Sequence, residues 1–129
     1  MVLYDNINSL RLSKNRIDRL VDVVECLDIS DTSYVLFLFG SYAKRCLNSD
    51  SDIDLLFIFP DDYEIPKKLD IELMLRLDDV LGEKYIDISC CDILMYNESK
   101  FFDICSSMPK SFEGKICSYM VKVKEVILW

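Results

Sequence analysis

The chain has 129 residues, 51% of them apolar, and a net charge of −8 at pH 7, which is material for one domain with a real core. It has no histidine, so Ser-His and Cys-His nucleophilic pairs, imidazole acid/base catalysis and His-ligated zinc or iron are excluded, and any metal must be held by oxygen. The acidic excess argues against a broad surface for DNA or RNA phosphates, which are gripped largely by Lys and Arg displacing counterions; it leaves room for a small nucleotide carried with magnesium, and it suits a basic partner protein.

From Ser13 to Ile29 the apolar residues Ile17, Leu20, Val21, Val24 and Leu27 recur at helical spacing behind Ser13, a candidate N-cap. Tyr34 to Phe39 is a short, aromatic-rich apolar run bounded by Asp31-Thr32-Ser33 and Gly40, the pattern of a buried strand. Tyr42 to Leu47 reads as a short helix. Asp52 to Phe59 starts with acid and apolar residues alternating, becomes wholly apolar, and stops at Pro60-Asp61-Asp62, as a central strand followed by a turn would. Leu69, Leu73, Leu77 and Leu81 mark a helix over Ile65–Leu81, with Gly82 as its C-terminal stop. Lys84 to Met95 is a third strand with an interruption near Cys90-Cys91, and Ser99 to Ser107 is a helix that ends before Pro109.

The tail is open between two structures. Val121-Lys122-Val123-Lys124 alternates like an edge strand, yet Phe112 to Trp129 would also extend a helix. Val126 to Trp129 either closes the core or offers an apolar patch to a partner, the second being preferred. No repeat or linker interrupts this order, so the expected fold is a single α/β (α+β) domain over residues 1–129 with a small mixed sheet flanked by helices. No leader or membrane-length apolar run is evident, and the six cysteines form no C-x-x-C pair; a soluble cytoplasmic protein with free thiols is expected.

The chemistry concentrates in two places. Asp52 and Asp54 are two apart in a strand, so their carboxylates converge on one face, where a hard cation such as magnesium relieves their repulsion. Gly40-Ser41 ends one strand and opens a helix, where free N–H groups, the helix dipole and the serine hydroxyl favour a phosphate. A two-metal site for in-line displacement needs a further carboxylate, and Asp87 or Asp92 can supply it. Being five apart, they face opposite sides of an unbroken strand. Asp87, between Ile86 and Ile88, is preferred, and Asp92 is expected to solvate a sheet edge. Asp50, Asp52 and Asp54 resemble the start of an EF-hand loop, but Leu55 stands where that loop needs glycine.

The segments Phe-Gly-Ser-Tyr-Ala-Lys at 39–44, Ser51-Asp52-Ile53-Asp54-Leu55 and Tyr85-Ile86-Asp87-Ile88 together resemble the minimal nucleotidyltransferases of the polymerase-beta-like superfamily. Gly40, Ser41, Asp52 and Asp54 meet its G-S-x(10)-D-x-D spacing. The resemblance implies that Gly40 and Ser41, with Lys44 and Ser51, bind the triphosphate of ATP, and that Asp52, Asp54 and Asp87 are catalytic and hold two Mg2+ ions. It also implies an antitoxin that transfers AMP to a tyrosine of a partner HEPN-type ribonuclease toxin, with no direct nucleic-acid or membrane contact. Arg45 departs from the pattern, since members commonly have glycine there. Two other readings stay open: transfer to a small molecule such as an aminoglycoside, and a non-catalytic antitoxin that acts by binding alone.

Overall fold

A computed structural model of the chain describes residues 2–3, 14–39, 53–85, 91–107 and 120–128. Its elements are β1 (Val2–Leu3), α1 (Lys14–Cys26), β2 (Tyr34–Phe39), β3 (Ile53–Phe59), α2 (Leu69–Leu81), β4 (Cys91–Asn97), α3 (Glu98–Ser107) and β5 (Val121–Val126). The strands form one mixed sheet in the order β1-β5-β2-β3-β4. β2 runs antiparallel to both β3 and β5, whereas β3 and β4, joined through α2, run parallel. This is the expected class of fold, α/β with a mixed sheet.

Alternation along the strands gives the sheet two apolar faces. On the inner face Leu36, Leu38, Leu55, Phe57 and Phe59 meet Leu20 and Val24 of α1, Leu27 just after it, and Leu73 and Leu77 of α2. Tyr34, Phe57 and Phe59 contact one another there, with Phe57 and Phe59 stacked at 5.8 Å. The outer face is smaller: Leu56 and Phe101 of α3 form its centre, with Phe37, Phe39, Ile58 and Tyr96 packed against them.

β2 has the limits that its apolar run predicts, and β3 agrees from Ile53 onward. The predicted helix at 42–47 and the Ser13 cap lie outside the described residues. α2 starts at Leu69, later than predicted: before it, the Pro66 carbonyl closes a turn by accepting from the Leu69 N–H at 3.2 Å. The predicted strand start at Lys84 is displaced. The N–H groups of Lys84 and Tyr85 both donate back to the Leu81 carbonyl, at 3.0 and 2.9 Å, and finish the end of α2. β4 then runs on to Asn97, whose side-chain amide donates to the Pro60 and Tyr63 carbonyls at 2.7 Å each.

The tail resolves as strand, and as an interior one. β5 sits between β1 and β2, with a register shift opposite Leu36 and Phe37. Leu36 faces Lys124 and Phe37 faces Lys122, so Val123 is the extra residue of a bulge. The bulge turns Lys124 onto the inner face with Leu36, where simple alternation would have kept it outside. Lys124 is 2% exposed. Its ammonium donates to the Val24 and Leu27 carbonyls at the end of α1, at 3.5 and 3.4 Å, and lies 5.6 Å from the centre of the Tyr34 ring. Of the expected C-terminal patch, Val126 is buried in the inner core, while Leu128 is exposed.

Candidate functional site

The two strands that carry the motif are neighbours. β2 ends at Phe39, immediately before Gly40, and β3 begins at Ile53, immediately after Asp52. The antiparallel register pairs Phe39 with Asp54. The stretch before the glycine-serine pair and the stretch after the first aspartate therefore lie side by side, as a phosphate cradle facing a metal-binding carboxylate requires. Chain separation alone, Phe39 to Asp54, does not dictate this; strand pairing does.

Asp54 is half-buried and shares the outer face with Leu56 and Ile58, while Ile53 and Leu55 point into the inner core. The carboxylate thus stands on the side of the sheet away from α1 and α2. The parallel register of β3 and β4 pairs Asp54 with Asp92. In a sheet, paired residues project to the same face, so Asp92, which is exposed, shares the outer face with Asp54 at the edge strand. The sequence offered Asp92 as a candidate and preferred Asp87. Only the register of the parallel pair, which no local pattern encodes, sets Asp92 opposite Asp54.

Gly40, Ser41, Lys44, Ser51, Asp52 and Asp87 lie outside the described residues. Among the described residues no three His, Cys, Asp or Glu side chains group as a metal site. Chemically the acids fit magnesium: Asp54 and Asp92 bring hard oxygen donors to one face, and carboxylate oxygen is what that ion prefers.

A second cluster leads towards Asp87. The Tyr85 hydroxyl and the Lys84 ammonium both donate to Asp22 Oδ2 of α1, at 2.5 and 2.6 Å. The Arg19 guanidinium lies 5.7 Å from the centre of the Tyr85 ring. Hydrogen bonding to Lys84, then to Tyr85, holds the Asp22 carboxyl below its usual range, while burial, then Asp22, pushes the Tyr85 hydroxyl up. The chain is thereby tied to α1 two residues before Asp87. Local periodicity carries no signal of this tie, because its partners are 63 residues apart.

Among the described cysteines, Cys91 is buried, and burial pushes the Cys26 thiol up. No described helix is long and apolar enough to cross a membrane.

The family model for the nucleotidyltransferase domain matches residues 17–122. No curated protein matches the chain. Among solved structures, a toxin–antitoxin complex with AMP-PNP is similar to the chain at 17% identity and a TM-score of 0.49, over 87% of this chain and 73% of that one. The complex of the tri-AMPylated HEPN toxin of Shewanella oneidensis with its MNT antitoxin is similar at 14% identity and a TM-score of 0.44, over 85% and 70%. A Sulfolobus solfataricus protein assigned as a nucleotidyltransferase is similar at 17% identity and a TM-score of 0.48, over 88% and 89%. The match of the family model spans most of the chain, including both halves of the motif and the strands that pair them, and the chain belongs to the nucleotidyltransferase domain family.

Proposed function

We propose that this chain is a magnesium-dependent adenylyltransferase, a single domain over residues 1–129 that acts as a cytoplasmic antitoxin by transferring AMP from ATP to a tyrosine hydroxyl of a partner HEPN-type ribonuclease toxin. The observation that carries the reading is the pairing of Phe39 with Asp54, which brings the flanks of the Gly40-Ser41 and Asp52-x-Asp54 segments together within a chain of this family. The acceptor and its tyrosine rest on the resemblance of the motif.

In this reading Gly40 and Ser41 receive the triphosphate on backbone N–H groups and the serine hydroxyl, helped by Lys44 and Ser51. Asp52, Asp54 and Asp87 hold Mg2+, which when bound offsets phosphate charge and polarises the α-phosphoryl group. Asp87 also accepts the proton of the attacking hydroxyl. The hydroxyl oxygen forms a bond to the α-phosphorus, the bond from that phosphorus to the bridging oxygen of the β-phosphate breaks, and pyrophosphate leaves with the electron pair. Sheet hydrogen bonding fixes Asp54, so that carboxylate needs little reorganisation during the step.

A second reading of the third acid is favoured by the register of β3 and β4, which sets Asp92 opposite Asp54. Asp87→Asn and Asp92→Asn separate the two. The proposal expects Asp87→Asn to lower AMP transfer by roughly a hundredfold or more, and Asp92→Asn to lower it less than about threefold. Assaying both variants with ATP and magnesium gives the answer, and the reverse ranking assigns the role to Asp92.

A further inference from the structure

A groove on the outer face of the sheet, reaching from Val35 and Ile58 to Phe37 and Met120, has a cavity volume of about 460 Å3. Phe37, Ile58, Phe101 and Phe102 give it an apolar lining, and Glu98 and Glu125 are the charged residues that line it. Phe102 is 61% exposed, a large apolar side chain left in water. No lysine or arginine is among the described residues that line it. Beside the lining carboxylates Glu98 and Glu125, Asp61 accepts from the Ser99 N–H and hydroxyl next to Glu98. Lys122 pairs with Glu125 at 2.9 Å, and Lys124 is buried on the other face. An apolar trough in an acidic surround on a chain of net charge −8 is complementary to one kind of segment, apolar on one side and basic on the other.

We infer that this groove seats a basic amphipathic helix of the acceptor protein and so holds the acceptor at the transfer site. The inference rests on the proposed function and names its docking surface. The Val35–Ile58 pair beside the groove and the Phe39–Asp54 pair at the motif lie on the same two strands. Four residues of strand separate them, about 13 Å. A protein anchored by such a helix keeps neighbouring side chains within reach of Asp54, and docking of this kind raises the local concentration of a hydroxyl.

The test uses the full chain and a synthetic helix with Leu on one face and Lys on the other, beside a counterpart with Glu for Lys. Binding is followed by calorimetry and by the fluorescence of the chain's single tryptophan, Trp129. The Lys peptide is expected to bind and the Glu peptide not; Phe102→Glu and Glu98→Lys should each weaken binding roughly tenfold or more, and added salt should weaken it too. Leu75→Glu, an exposed apolar site on α2 behind the sheet, should leave it unchanged. The Asp52→Ala/Asp54→Ala variant should bind the peptide like the parent, so that absence of AMP transfer with intact docking counts against the enzymatic reading alone. The inference is overturned if both groove variants bind like the parent, or if the intact chain binds no Lys peptide because its own segments fill the groove. It is also overturned if Phe102→Glu dissolves a concentration-dependent dimer, which would make a second copy the occupant.

Discussion

Asp22 is the acceptor that ties α1 to the segment entering β4, and its electrostatics give that tie a pH signature. Its folded-state pKa is depressed by the Lys84 and Tyr85 hydrogen bonds. The stability it contributes is therefore fully present above its ordinary value of 3.8 and is lost as pH falls through the lower folded value. Asp22→Asn should cost about 0.5–1 kcal/mol near neutral pH, and urea denaturation should find the gap between variant and parent closing as pH falls below that ordinary value. Lys124 runs the other way. Burial lowers its folded pKa, so in alkali the unfolded chain binds the proton more tightly than the folded one. Its charged form penalises folding at neutral pH, and the penalty lifts as pH rises from the folded value towards the unfolded 10.5. Denaturation of parent and Lys124→Met at pH ~8 and ~10 should show the parent gaining relative to the variant at the higher pH. Neither residue's role was legible in the sequence: Lys124 is turned inward by a bulge, and Asp22 meets partners on a distant segment.

At the scale of elements, what the sequence disclosed depended on how local the determinant was. β2 is a continuous apolar run between polar bounds, and its limits follow from that run alone. The leucines at 69, 73, 77 and 81 are all buried, as their spacing implies. Gly82 does follow α2, but for a reason other than a left-handed turn: its φ is −61°, and a Cβ there would stand 2.4 Å from the Asp78 carbonyl oxygen. Gly82→Ala should destabilise the fold by about 1–3 kcal/mol, where an exposed glycine with room for a methyl would have gained stability; thermal unfolding of the two proteins decides it. The choice between edge and interior for β5, and the strand facing Asp54, depend on long-range pairing, to which hydrophobic periodicity is blind. The same limit separates the two halves of the site. Gly40-Ser41 and Asp52-x-Asp54 are visible as a spacing, whereas the choice between Asp87 and Asp92 turns on register.

On the scale of the whole molecule, a single sheet serves two purposes. Its inner face is covered by α1 and α2 and supplies the core, which leaves the outer face to carry Asp54, Asp92 and the acidic groove. The central claim is that Asp52 and Asp54 serve metal-assisted transfer of AMP to a protein hydroxyl. It is tested most directly by incubating the chain with ATP, magnesium and the protein encoded beside it, and weighing that protein by intact mass spectrometry. The account predicts an added AMP mass that chelation of magnesium abolishes and that Asp52→Ala/Asp54→Ala does not produce, while circular dichroism shows the variant folded. An AMP adduct formed equally well by the double variant would contradict it.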